Sequence, residues 1–355
     1  MFHLVPLWRE AAPVTGENER ISSLHGAGGE RMGQLLREHV TRRFRRRFAG
    51  RIGLDHLDDG ATIDLPSGGE VVITTDSHVV KPIFFPGGDI GRLAACGTLN
   101  DLAVMGARPL ALTLGLILEE GFAIADLERI LDSLDQALGE VGAALVTGDT
   151  KVMGHGELDG IVINTTGVGV ATPRAIGDAS LSVGDVVLVT GTIGDHGMAL
   201  LALRQEFHLT TTLQSDVAPI WLLVERALAV GGVRAMKDPT RGGLAAALNE
   251  MARKSKTTVE LEETAIPVRD QARGLGDLLG ISPFDVANEG KAILIVAPAR
   301  ADAVLALLRS HPLGQDAARI GEITTEYPGR VILRTQVGGR RFLEMPLGDP
   351  VPRIC

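Results

Sequence analysis

The chain has 355 residues, a net charge of −9, and 45% hydrophobic and 22% charged side chains, which fits a soluble globular protein with room for two domains. The acidic balance argues against nucleic acid as the main partner, since phosphate binding normally leaves a basic footprint. No apolar stretch approaches the ~18 residues of a membrane span, and acidic and proline residues interrupt the opening "MFHLVPLWREAAP", so the expectation is a cytoplasmic protein with neither a span nor a signal peptide.

Residues 1–20 are polar and aperiodic and read as an N-terminal extension. "HGAGGERMG", 25–33, is a glycine-rich loop entering a helix, a layout whose backbone amides can hold phosphate through His25, Gly26, Gly28 and Gly29. It lacks the dinucleotide-binding spacing, because Arg31 stands where the third glycine belongs and no strand precedes it. A helical period runs on through Arg47, so "TRRFRRRF", 41–48, reads as a cationic last turn favoured by the helix dipole, with a docking face for an acidic partner as the alternative.

Strand-like runs follow in "ATIDL", "EVVITTDS" and "LALTLGLIL". Between the last two, "GRLAACGTLNDLAVMGA", 91–107, reads as a buried helix rich in small residues, with Cys96 as a small apolar side chain. Residues 125–143 place Leu127, Ile130, Leu131, Leu134 and Leu138 at helical spacing and lead into the strands "ALVTGDT" and "GIVINTTGVGVA". Near residue 174 the pattern restarts as strand, glycine turn and helix, which opens a second domain. The chain divides on this reading into an extension (1–20), an N-terminal domain (21–173), a C-terminal domain (174–345) and a flexible, proline-bearing tail (346–355) that carries Cys355.

Asp76, Asp149 and Asp238 each follow an apolar β-like run, where α/β folds commonly place ligand sites. With Asn100 and Asp101 they make a set of hard oxygen donors suited to magnesium. Each aspartate alone suits a turn or a helix cap equally well, so the expectation rests on their joint occurrence. Lys151 and Glu289 sit in the glycine-flanked stretches "GDTKV" and "ANEGK" and are candidates for proton transfer. "ANEGKA" is not a P-loop, since Asp285 and Ala292 replace its required ends, and no close histidine pair offers a zinc centre.

Taken together, "HGAGGERMG", "TTDSHVVKPIFFPGGDIGRLAACGTLNDLAVMGARPL", "VTGDTKVM", "KDPTRGGLAAALNE", "FDVANEGK" and the final "PRIC" resemble the HypE carbamoyl dehydratases of hydrogenase maturation, in the PurM-like ATP-binding superfamily. The resemblance implies a two-domain α/β (α+β) fold whose N-terminal sheet pairs with a second copy in a homodimer. It also implies ATP and Mg2+, the metal held by Asp76, Asn100, Asp101 and Asp149, with Asn100, Asp149, Thr150, Asp238, Thr240, Arg241 and Asn288 joining the glycine loop around the nucleotide. Cys355 would receive a carbamoyl group from the HypF carbamoyltransferase, ATP would drive its dehydration to a thiocyanate, and the HypC–HypD complex would take the cyanide for a [NiFe] centre. Glu289 would act as the base, assisted by Lys151 or exchanging roles with it. Ten residues from Pro346 to Cys355 reach roughly 30–35 Å when extended, enough to visit an internal site and swing out again. Ala27 departs from the serine common in the first loop. The rival readings are a sister ATP-dependent synthetase or kinase, for which "PRIC" has no use, and a non-catalytic thiol carrier, which has no need of the aspartates.

Overall fold

The computed structural model describes residues 20–26, 29–66, 68–204, 211–346, 348, 351 and 353–354. After a short helix, α1 (Gly29–Leu35), come strands β1 (Ala61–Asp64) and β2 (Glu70–His78), the two-residue strands β3 (Phe84–Phe85) and β4 (Gly88–Asp89), and helix α2 (Ile90–Val104). Strand β5 (Arg108–Glu119), helix α3 (Ile124–Val141), and strands β6 (Ala144–Met153) and β7 (Ile161–Ala171) complete the first half.

The long strands form one sheet in the order β1-β2-β7-β5-β6, antiparallel except for the β5–β6 pair. Their alternation of β-branched and small or polar residues buries one face, and α2 packs against β2 and β7 there. Thirteen of the fifteen residues of α2 are buried, because its alanines, glycines and Cys96 let it lie close to the sheet and to α3. Asp89 starts that helix by accepting hydrogen bonds from the Gly91 and Arg92 amides. In α3 only the face bearing Ile130, Leu134, Ala137 and Leu138 is buried, as its helical spacing requires. Residues 144–152 of β6 are exposed along their whole length, leaving an uncovered sheet edge.

The second half comprises β8 (Val186–Val189), α4 (Asp195–Leu203), α5 (Trp221–Val230), β9 (Val233–Lys237), α6 (Gly243–Ser255), β10 (Thr258–Glu262), α7 (Asp270–Leu279), β11 (Ile293–Val296), α8 (Pro298–Arg309), β12 (Ala318–Thr324), β13 (Arg330–Arg334) and β14 (Arg340–Phe342). Its sheet runs β14-β13-β10-β12-β8-β11-β9. The unbroken apolar runs "VVLV" and "ILIV" of β8 and β11 are buried at every position, which follows from cover on both faces. Leu244, Leu248 and Met251 of α6 pack on one face, and Leu223, Val224, Val304 and Leu308 of α5 and α8 on the other. Helix α4 instead packs into the first domain's core, where Met198, Leu200 and Leu201 join Val80, Phe85 and Leu93.

Two expectations change. The helix expected through Arg47 loosens at Leu36–Val40, tightens into one turn at Thr41–Arg43, and gives way to extended backbone at Phe44. β-Branched Val40 and Thr41 followed by five arginines in 42–47 supply poor propensity and like-charge repulsion at helical spacing. The tail's described residues are not loose: Val351 is 0% and Ile354 1% exposed, both within the first domain's core cluster.

Candidate active site

A cleft of about 900 Å3 opens between the two sheets, lined among others by Gly29, Asp76, Asp101, Thr240, Arg241 and Glu289. Asp76 comes from β2, Asp101 from the last turn of α2, Asp238 from the residue after β9, and Asp59 from the loop before β1. Folding brings carboxylate oxygens of Asp59, Asp101 and Asp238 within 4.8 Å of one another. Asp101 also accepts a hydrogen bond from Thr74 Oγ1 at 2.8 Å. Asp59 Oδ2 and Asp238 Oδ2 are buried with no hydrogen-bond partner among the described residues.

The electrostatics of this triad are set by burial and mutual repulsion. Desolvation, and then the charges of Asp238, Asp59 and Asp76, hold the Asp101 carboxyl well above the usual range. Desolvation and Asp59 raise Asp238 to about 8. Asp59 is raised by burial although Lys237 pulls the other way. Three carboxylates this close repel one another at neutral pH unless protons or a cation intervene, and the two orphaned oxygens give a divalent ion ready donors.

Behind the triad an ion network joins the domains. Lys237 Nζ is bonded to Asp59 Oδ1 and lies 3.4 Å from Glu250 and 3.6 Å from Asp178. Lys254 Nζ reaches Asp178 at 2.5 Å and the Leu57 carbonyl at 2.8 Å. Burial, with Asp178 and Asp59 nearby, pushes Asp58 up to about 7.

Glu289 closes the inner wall at 2% exposure, its Oε1 buried without a partner among the described residues. Burial, then Asp238, Asp216 and Asp76, raise its carboxyl well above the ordinary glutamate value. Its main chain is pinned: the amide donates to Asp216 Oδ1 at 3.0 Å, and the carbonyl accepts from Asn100 Nδ2 at 3.0 Å. Arg241 Nη2 stands 3.8 Å from Asp76 Oδ1.

The structure thus gathers Gly29, Asp76, Asp101, Asp238, Thr240, Arg241 and Glu289 in one cleft, and none of the other expected site residues that are described lines it. Asn100 is not placed as a metal ligand, because Ala218 O, Glu289 O and the Ile220 amide use its side chain at 2.9–3.1 Å. Asn288 braces the loop around Pro239, donating to the Pro239 carbonyl at 3.1 Å and accepting from the Gly194 amide at 2.7 Å. Asp149, Thr150 and Lys151 lie on the exposed β6 edge, with Lys151 Nζ 2.5 Å from Asp149 Oδ2. Asp76 pairs with Thr165, Thr165 with Leu114 and Leu114 with Gly148, so Asp149 lies three strand spacings, roughly 14 Å, from Asp76 in the same chain. The four expected metal ligands therefore do not assemble within one chain. His25 Nδ1 takes the Ser22 amide at 3.0 Å and Gly26 is exposed, while Gly28 and Cys355 lie outside the described residues.

Asp59 and Lys237 escaped the sequence reading. The one signal for Asp59, tandem Asp58–Asp59 before Gly60, reads as an ordinary turn, and Lys237 reads only as the residue before Asp238. Cys96 is buried and its thiol is pushed up by desolvation, as a small core side chain should be.

Residues 57–171 match the N-terminal domain of AIR synthase related proteins and residues 182–334 their C-terminal domain. A carbamoyl dehydratase HypE of Cupriavidus necator is 46% identical over 345 residues, 97% of each chain. A HypE crystal structure in complex with ATP superposes with a TM-score of 0.78 at 42% identity, over 93% of this chain and 98% of the other. The crystal structure of a HypE–HypF complex gives a TM-score of 0.81 at 39% identity, over 88% and 99%.

Proposed function

The chain belongs to the HypE carbamoyl dehydratases of the AIR synthase-related family, and we propose that it uses ATP to dehydrate an S-carbamoyl group on Cys355 to a thiocyanate. The observation that carries this reading is the convergence of an acidic triad and an unpaired, buried Glu289 on one cleft. The carbamoyl oxygen attacks the γ-phosphorus, ADP departs and one N–H proton is lost. The C–O bond then breaks as phosphate leaves, the second N–H proton goes to a base, and S–C≡N remains.

Asp59, Asp101 and Asp238, with Asp76 beside them, would hold Mg2+, which supplies neutralisation of the triphosphate charge. Gly29 and the Thr240–Arg241 turn line the cleft where phosphates would lie. Glu289, once ionised, accepts a proton from the nitrogen through Oε1; burial and the neighbouring carboxylates raise its affinity for that proton, and Arg241 opposes them.

Lys151, on the far strand of its own sheet, serves a site only in a second copy. Exposed Leu145, Val146 and Val152 on the unpaired β6 edge support a homodimer through that edge. The HypF carbamoyltransferase loads the tail and a HypC–HypD complex unloads it. Intact mass tests the whole reading: incubation with HypF and its substrates adds one carbamoyl group, ATP and Mg2+ then remove one water, and Cys355→Ala shows neither change. An active HypF that leaves Cys355 unmodified overturns it.

A further inference from the structure

His196, on α4, is wholly buried and takes no part in the chemistry above. Both its ring nitrogens are engaged: Nδ1 lies 2.7 Å from Ser215 Oγ, and Nε2 lies 2.9 Å from the carbonyl oxygen of Ile354. A carbonyl only accepts, so Nε2 carries the proton and Nδ1 accepts from the Ser215 hydroxyl. Ser215 Oγ in turn accepts from the Val217 amide at 3.1 Å. The donors therefore all point one way, from the 215–217 backbone through the imidazole to the peptide that leads into Cys355. Phe85 meets the imidazole edge to face at 5.4 Å, fixing its plane.

The same short segment holds Glu289. Asp216, next to Ser215, accepts the Glu289 amide at 3.0 Å and pairs with Lys291 at 3.2 Å. Gly290 makes that approach possible, since a Cβ there would lie 2.0 Å from the Asp216 carbonyl oxygen. Ser215 is itself anchored, its amide donating to the Pro86 carbonyl at 2.8 Å. On the other side the tail is held by the Lys81 amide, which donates to the Arg353 carbonyl at 3.2 Å, and by the ion pair of Arg353 with Asp159.

We propose that His196, oriented by Ser215, is a positioning residue that docks the Ile354 carbonyl and so presents the group carried on Cys355 to Glu289. Neighbouring residues, Ser215 and Asp216, thus hold the Ile354 carbonyl, through His196, and the Glu289 main chain from one piece of backbone. The proposal rests on the carbamoyl dehydratase reading.

The test uses full-length protein carbamoylated by HypF, with dehydration followed by intact mass in a single turnover after adding ATP and Mg2+. His196→Ala is expected to be carbamoylated normally and to bind ATP within about twofold of wild type, but to dehydrate at least about tenfold more slowly, the loss of one buried hydrogen bond. His196→Gln, whose amide N–H can reach the same carbonyl, recovers part of the rate. Hydrogen exchange in the 344–355 peptide is faster in His196→Ala than in wild type. Ser215→Ala shows the same pattern more weakly, and decides the matter if His196→Ala does not fold.

Wild-type dehydration in His196→Ala overturns the proposal. So does loss of ATP affinity in step with rate while His196→Gln recovers nothing, because that is a structural defect. If the wild type itself fails to dehydrate, the dehydratase reading falls, and unchanged tail exchange in His196→Ala then rejects the docking role separately.

Discussion

Lys237 and Asp59 form an ion pair that crosses from the last residue of β9 to the loop before β1, with side chains only 9% and 11% exposed. It ties one of the three clustered carboxylates to the opposite domain. Removing the ammonium leaves Asp59 buried without its counter-charge, while Asp178 keeps Lys254. Lys237→Ala should therefore lower stability by about 3–5 kcal/mol in a denaturant titration. A loss below about 1 kcal/mol, the level of an exposed pair, would show that the network is not what joins the domains.

The raised carboxyls make a pH prediction with a definite sign. Asp58 and Asp238 have folded-state values near 7 and 8 against an ordinary 3.8, so the folded protein keeps protons that the unfolded chain releases. Stability in metal-free buffer should fall as pH rises from about 4 through about 8 and level off above that. Mg2+ at a hundred times its Kd should restore about 2.7 kcal/mol at the alkaline end. Tm measured against pH, with Mg2+ and with a chelator, checks both; curves that coincide at every pH remove the divalent site.

Glu289→Gln preserves size and hydrogen bonding while removing the proton acceptor. Carbamoylation and ATP binding should survive, while dehydration slows by roughly 10²- to 10⁴-fold. A wild-type rate in the same mass assay would transfer the base to another group.

If Lys151 serves the partner's cleft, two inactive variants should complement. Mixing Lys151→Ala with Glu289→Gln and allowing subunits to exchange puts one intact site into each mixed dimer, about a quarter of wild-type activity for random mixing. No recovery, with exchange demonstrated by mass, would mean that both residues act within one chain.

Much of this cleft was visible as residue types at the ends of apolar runs. Asp238 follows β9 in the fold as it follows "VRAMK" in the chain, Asp76 lies two residues before the end of β2, and Glu289 sits in its glycine-flanked loop. The same rule put Asp149 beside Asp76 in one site, whereas pairing with β5 alone places β6, and so Asp149, at the sheet edge. Asn100 failed for a different reason: the sequence cannot tell an amide that binds a ligand from one that satisfies three backbone groups behind the site. His196 left no local signal at all. Its partners are 19 and 158 residues away, and only tertiary packing unites them.

The burial of Val351 and Ile354 has a thermodynamic consequence for whatever handles the tail. Withdrawing both side chains into water costs about 1.5–3 kcal/mol each, so the free tail is present in about one molecule in 150 to one in 25,000. A partner that grips only the terminal residues sees its affinity reduced by that fraction. One that also offers an apolar groove for the valine and isoleucine recovers the loss, so efficient handover depends on apolar contact as much as on chemistry.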